Sequence, residues 1–261
     1  MENKKHYKIR KDLAIKWYGK TLYRIEATED TPYQGVRKGD IGGFVESEDN
    51  LRGDAWIFGD SKVYGGAEVY GNAKVCGDAE VYGNAKVHGY AKVCDEAEVY
   101  GEAKVLGDAK VYGDAKVYGD AHVYGDSRVF GYAVVCDNAE VFGATEVLGV
   151  ATVYGNASVF GNAKVFGDAQ VSGDVKVFGS AELSGDAQVC ATKDYIVFKN
   201  FWSSGRYFTW TRSNNMWRAG CFYGTGEGLV AKAYQGSKES GDHYKLFVDF
   251  VNEKILKKGG N

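Results

Sequence analysis

Proline is nearly missing from this chain: one residue in 261, set against 36 glycines. That combination excludes collagen, which needs Gly at every third position and far more Pro. Long apolar runs are missing too, and none approaches the roughly 18 residues of a membrane-spanning helix. Positive charge is not in surplus. The 32 Lys and Arg against 35 Asp and Glu give a net charge of −3, which offers no reason to expect nucleic acid. Histidine is confined to His6, His88, His122 and His243. The segment from Met1 to Tyr7 has no apolar core, so a signal peptide is not expected there. Cysteine is sparse and odd in number, at five; without a secretion signal, free thiols in a reducing cytoplasm are the expectation.

What the chain has in abundance is repetition. From Gly53 to Cys190 it runs as 23 consecutive hexads of the form Gly-Asp-Ala-x-Val-Tyr, with no insertion. Position 3 is nearly always Ala, with Ser61, Ser127, Thr145 and Val175 as variants, and position 5 is Val except at Ile57 and Leu183. Ala-x-Val is a period-2 pattern, so Ala and Val point inward and x points outward. Only a very short strand fits before Gly permits a corner. Such a strand cannot pair within its own turn, but it can stack on an identical strand one coil above. Three sides of six residues predict an 18-residue coil. The array then makes about 7.7 coils, roughly 37 Å long at the ~4.8 Å spacing of paired strands.

The composition shifts on either side. Residues 1–52 alternate apolar and polar, as in Thr21-Leu22-Tyr23-Arg24-Ile25-Glu26, and predict a small β cap over the first coil. Residues 191–261 predict an α+β domain. Its strands are expected over 195–202, 206–212 and 216–223, with one helix over 228–235 capped by Thr225. A second, amphipathic helix is expected over 243–257, with Leu246, Phe247, Phe250, Val251 and Leu256 on one face. The array carries −10, the N-terminal segment +2 and the C-terminal segment +5.

The repeat resembles the hexapeptide motif of left-handed parallel β-helices, whose pattern is aliphatic, small, two free positions, Ser/Thr/Ala/Val, then one free position. One departure is plain: Tyr or Phe follows the aliphatic here, and Gly comes one position later. The segment Gly39-Asp40-Ile41-Gly42-Gly43-Phe44-Val45-Glu46-Ser47-Glu48, leading into Gly53-Asp54-Ala55-Trp56-Ile57-Phe58, resembles the solenoid entry of YdcK-type proteins. Those are bacterial and phage β-solenoids often described as transferase-like, with no established activity. The tail also resembles segments that follow such arrays in phage and bacterial proteins. The resemblance implies a single three-sided β-helix of 7–8 coils and says little about function.

Residues 18 apart should stack in rows. One row at position 6 reads Tyr64, Tyr82, Tyr100, Tyr118, and either braces a corner or offers a surface. Cys76 and Cys94 fall in adjacent coils within disulfide reach, with stacked thiols the expectation for a reducing compartment. Phe-rich rows in the later coils need a cover, from the C-terminal domain or a second subunit.

Motifs for chemistry are sparse. There is no G-x-S-x-G, P-loop or H-E-x-x-H. Hexapeptide acyltransferases pair a His base with a subunit cleft, and many have a loop excursion; this array has no excursion, and His88 and His122 are dispersed. A shared metal site is not expected, nor is any cofactor. The reading is a non-catalytic scaffold that binds a protein partner, phage-encoded and aimed at a host protein. An acyltransferase-like enzyme and a small-ligand or nucleotide-sequestering protein stay open as alternatives. The C-terminal candidates for binding are Arg206, Arg212, Arg218, Trp202, Trp210, Trp217 and Tyr223, because Arg and aromatics dominate interfaces.

Overall fold

The computed structural model describes residues 5–257. The hexads form a parallel β-solenoid: each contributes one two-residue strand from positions 4 and 5, running from β4 (Trp56–Ile57) to β26 (Gln188–Val189). Strands pair with those 18 residues away, as Lys92 with Lys74 below and Lys110 above. Three parallel faces result. Face one runs from β4 to β25 (Glu182–Leu183), face two from β5 (Lys62–Val63) to β26, and face three from β6 (Glu68–Val69) to β24 (Lys176–Val177).

The hydrogen bonds run along the axis. Lys92, Cys94 and Glu96 donate their backbone N–H groups to Ala109, Val111 and Gly113, at 2.9, 3.0 and 3.0 Å. The same bonds recur up the array, so the corners are tied as well as the strands. The inward expectation holds: Ala and Val at positions 3 and 5 are buried almost throughout, including Ala109 and Val111. Where position 3 is polar, the hydroxyl turns back to the preceding corner. Ser127 Oγ donates to Tyr124 O at 2.9 Å and Thr145 Oγ1 to Phe142 O at 2.6 Å, so neither is left unpaired in the core. At Gly83 (φ +72°) a Cβ would lie 2.9 Å from Gly101 N, so the left-handed corner is also too tightly stacked for a side chain. Asp95 and Asp137 occupy the same corner position with positive φ. Their carboxylates accept from Gly113 N and Gly155 N, both at 3.0 Å, in the next coil.

Both ends are closed by dedicated structure. At the start, β1 (Tyr7–Trp17), β2 (Lys20–Ala27) and β3 (Ile41–Val45) form an antiparallel run, and β3 then pairs parallel with β5. Backbone N–H groups of Phe44, Glu46 and Arg52 reach Ser61, Val63 and Val69 of the first coil at 2.9, 3.2 and 3.0 Å. Side chains supply the rest. Buried Asn50 donates through Nδ2 to Gly65 O and Ala67 O at 3.0 and 2.9 Å, while its Oδ1 accepts from Glu46 N and Ser47 N. His6 Nε2 lies 3.0 Å from Ala55 O.

At the other end, the last coil is met by a four-stranded antiparallel sheet: β27 (Tyr195–Lys199), β28 (Tyr207–Thr211), β29 (Met216–Ala219) and β30 (Phe222–Gly224). Glu182 N donates to Thr209 Oγ1 at 3.0 Å and Gln188 N to Ser213 Oγ at 2.7 Å, while Tyr195 OH donates to Lys176 O at 2.9 Å. One hydroxyl thus terminates each of the three faces. Helices α1 (Gly226–Gly236) and α2 (Lys238–Phe250) pack behind the sheet.

Three details differ from expectation. The expected third strand is two, split by a turn at Gly220-Cys221 where Gly220 has φ +59°. The second helix begins earlier than predicted: Ser237 Oγ accepts from Ser240 N at 3.1 Å. Gly241 argues against a helix by propensity but lets the Tyr234 ring pack against it, where a Cβ would lie 2.1 Å from Cδ1. Its buried face also differs. Val251 is buried and Phe247 and Leu256 pack against the same core as expected, with Val248 added to them, whereas Leu246 is 62% and Phe250 45% exposed.

The cysteine expectation needs the larger correction. Cys76 and Cys94 form a disulfide, their Cα atoms 4.5 Å apart across adjacent coils, and Cys136, Cys190 and Cys221 are free. The coil stacking alone brings the pair within bridging distance.

Two substitutions test this architecture. Val111→Asp puts an unpaired charge against Val93 and Val129 in the core. It should cost at least about 4 kcal/mol and lower Tm by more than about 10 °C. A parent-like melt would overturn the inward assignment. Asn50→Ala strands two carbonyls and the Ser47 N–H group at the first coil, while Glu46 N–H keeps Val63 O, and should cost about 2–3 kcal/mol in denaturant unfolding. Parent-like stability there would mean that those groups reach water.

Candidate functional site

The stacking that builds the core also builds ladders outside it. Tyr64, Tyr82, Tyr100 and Tyr118 stack ring on ring along the corner after face two, with centroids 5.1, 4.8 and 4.9 Å apart and interplanar angles of 4–6°. The row expected from 18-residue spacing is therefore present. It is not a bare aromatic surface: Tyr64 is buried, and the other three are half-buried.

The phenols are held by the neighbouring face. Tyr64 OH donates to Glu80 Oε2 at 2.8 Å and Tyr82 OH to Glu98 Oε2 at 2.9 Å, each reaching the carboxylate of the next coil. Glu98 also pairs with Lys116 at 2.7 Å, and Glu80 accepts from Trp17 Nε1 at 3.3 Å. Burial first, and then donation to the carboxylate, pushes the Tyr64 and Tyr82 phenols well above the ordinary tyrosine range. At the far end of the row the Tyr118 phenol is pushed up to about 12, mainly by its hydrogen bond with Cys136 and then by burial.

Over the lower end of this ladder the β1–β2 hairpin folds down. Its tip is Tyr18-Gly19, with φ +43° and +79°. A two-residue hairpin turn with both residues left-handed normally takes Asn-Gly, so a tyrosine there is strained. Tyr18 is nonetheless 83% exposed. Between the hairpin and the ladder lies a cleft of about 710 Å³. Trp17, Tyr18, Tyr64 and Tyr82 wall it; Asp78, Glu80, Glu96 and Glu98 supply carboxylates, and among the described residues Lys62 is the cation that lines it. Lys62 Nζ sits 4.2 Å from the Trp17 ring centroid. Glu80 and Glu98 are engaged as described, whereas Asp78 and Glu96, at corners of adjacent coils, are exposed.

The C-terminal candidates are not brought together into one pocket. Trp210 and Trp217 are in the core of that unit with Phe208, Leu229 and Val248. Trp202 is half-buried and stacks on His243 at 4.6 Å. Arg218 faces the solenoid, paired with Glu182 at 3.3 Å and 5.0 Å above the Phe166 ring. Tyr223 OH reaches Ser184 O at 3.4 Å. Arg212 donates Nε–H to Lys193 O at 3.1 Å, and Arg206 is exposed. Arg218 and Tyr223 thus tie the domain to the last coils.

The scarce histidines are also placed. His88 stacks on Tyr70 at 4.6 Å, and burial, then Lys86, pushes its imidazole down. His122 stands in the face-three ladder between Lys104 and Glu140. Among the described residues no group of three or more His, Cys, Asp or Glu could hold a metal ion.

The sequence reading of the site missed Trp17, Tyr18 and the acidic corner row. The row was accessible in principle, because Asp60, Asp78, Glu96 and Asp114 are spaced 18 apart like the tyrosines. The hairpin was not, because nothing in residues 17–20 says which face it covers. Fold and site together define a parallel β-solenoid with built caps and a cleft between its N-terminal hairpin and one side-chain ladder. No protein-family model matches the chain, and no curated protein matches it either.

Alkaline titration tests the ladder. A phenol whose folded pKa is raised keeps its proton where the unfolded chain has lost it. That stability is complete below about pH 10 and is lost as pH climbs through the folded value. Unfolding stability should therefore fall above about pH 10, and phenolate absorbance should show tyrosines that titrate late. Tyr64→Phe and Tyr82→Phe should remove the latest part of that curve; an unchanged curve would disprove the assignment.

Proposed function

We propose that the protein is a non-catalytic β-solenoid that acts as a rigid spacer and interaction surface for a protein partner, with the cleft beside the tyrosine ladder as its recognition site. The observation that carries this is the state of the groups lining the cleft. Its phenols are stacked and hydrogen-bonded to carboxylates, and Glu80 and Glu98 are engaged with fixed partners. That is a preorganised surface for contact, in which neither Glu80 nor Glu98 stands free as a base for proton transfer.

The runner-up, an acyltransferase-like enzyme, draws support only from the likeness of the repeat. A general base must reach its proton within hydrogen-bond distance in a cleft. Neither His88, packed on Tyr70, nor His122, in a charged ladder, lines the cleft by the hairpin. Among the described residues no helix is long and apolar enough to cross a membrane. A cytoplasmic setting suits the three free cysteines, whereas a Cys76–Cys94 bond is unusual for a reducing compartment. The YdcK-type likeness makes a host protein the partner to seek first.

Two measurements decide between the readings. Acetyl-CoA with a broad acceptor panel should show no turnover above the uncatalysed rate; turnover abolished by His88→Ala or His122→Ala would establish the enzyme instead. A partner isolated from the native host should be retained by the intact chain and lost when residues of the cleft are changed. Retention by every cleft variant would move the recognition site elsewhere.

A further inference from the structure

One row of corner carboxylates, which runs into the cleft, is unevenly matched. At position 2, on the corner leading into face two, Asp60, Asp78, Glu96 and Asp114 follow one another in adjacent coils. Like charges stacked this closely repel. Some outward rows of the array are relieved by opposite charge, as in Arg128–Glu146–Lys164 and Glu98–Lys116, whereas the corner carboxylates Asp108 and Asp126 are likewise without an ion pair among the described residues. Among the described residues, Asp60 alone in this row is paired with a cation, Arg24. Among the described residues Asp78, Glu96 and Asp114 have no ion pair or side-chain hydrogen bond.

Arg24 shows what this surface accepts. Its guanidinium pairs with the Asp60 carboxylate, donates to the corner carbonyl of Gly59, and lies 4.0 Å from the Phe44 ring centroid. One coil further on, Lys62 Nζ lies 4.2 Å from the Trp17 ring centroid. Twice, then, a cation is held here against an aromatic face, and in the first case a row carboxylate closes the other side. One and two coils above Asp60, the cleft offers carboxylates at Asp78 and Glu96 without an ion pair among the described residues, together with the exposed ring of Tyr18.

We infer that the cleft binds an arginine-containing basic segment of a protein partner, its guanidinium groups paired with Asp78 and Glu96 and covered by Tyr18. Arginine fits better than lysine because its planar fork engages a carboxylate with two donors while its face stacks on a ring. Tyr18 is then the reason the hairpin tip departs from the Asn-Gly that its geometry favours: the ring forms the open wall of the site. This rests on the reading of the cleft as the recognition site, and it adds the chemistry of the occupant.

The test uses the full chain and three labelled peptides of equal length: hexa-arginine, hexa-glutamate and a neutral peptide with apolar side chains. Affinity is read by fluorescence anisotropy at low and physiological salt. Hexa-arginine should bind. Asp78→Asn with Glu96→Gln should weaken it about ten-fold, and Tyr18→Asn, which suits the turn, should weaken it several-fold without loss of thermal stability. Asp108→Asn with Asp126→Asn removes equal charge from another corner and should change affinity less than two-fold. Equal weakening by both double variants would overturn the inference, since attraction would then come from the acidic array as a whole. If the neutral peptide binds in a Tyr18-dependent way and hexa-arginine does not, the cleft remains a recognition site and the arginine chemistry is wrong. If no peptide depends on Tyr18, both readings fall.

Discussion

Everything in this molecule depends on a backbone hydrogen-bond ladder that runs parallel to the long axis. Each coil of 18 residues encloses only a narrow column of Ala and Val, so the apolar burial per residue is modest. The ladder compensates by leaving few internal backbone groups unpaired: strand positions bond across faces, and corner N–H groups such as Asn84 and Glu96 bond to the corner of the next coil. That tightness sets the sequence. A residue with a side chain at the corner meets the backbone above it, and the aspartates that break the glycine rule do so with a carboxylate bonded to the coil beyond.

A ladder of this kind has an intrinsic weakness, because it ends in unpaired groups that invite another chain to continue it. The two caps answer with different chemistry. The N-terminal cap presents donors, the amide of Asn50 and backbone N–H groups, to carbonyls of the first coil. The C-terminal sheet presents side-chain oxygens, largely as acceptors, to N–H groups of the last coil. The C-terminal aromatics and Arg218 that composition marks as interface residues are mostly occupied in building and seating this cap.

Legibility in the sequence follows the same division. The repeat was readable because one period governs strand, corner and core at once, so the inward Val and Ala and the tyrosine row followed from spacing. The helix start at Ser237 and the split of the third C-terminal strand were not, since each turns on a single capping hydroxyl or a two-residue turn beside ordinary residues. The hairpin that makes the cleft was hidden for a different reason. Trp17 meets Glu80 across 63 positions of sequence, and no local pattern encodes such a contact. For Cys76 and Cys94 the spacing gave proximity, while the argument from compartment pointed the other way.

The three hydroxyls at the C-terminal end have a consequence for how such a chain can change length. Tyr195 addresses the last face-three strand, Thr209 the last face-one strand and Ser213 the last face-two strand, so the cap is locked to the final three hexads and turns with them. Removing one hexad would leave each remaining hexad locally intact yet turn everything after it by one face. Side-chain rows such as the tyrosines would then meet the wrong column, and the C-terminal cap, carried along with the hexads it bonds, would be turned by one face relative to the N-terminal hairpin. Removing a whole coil restores every match. The rod therefore keeps its side-chain rows and the relative orientation of its two ends only in steps of 18 residues, even though its repeat is six.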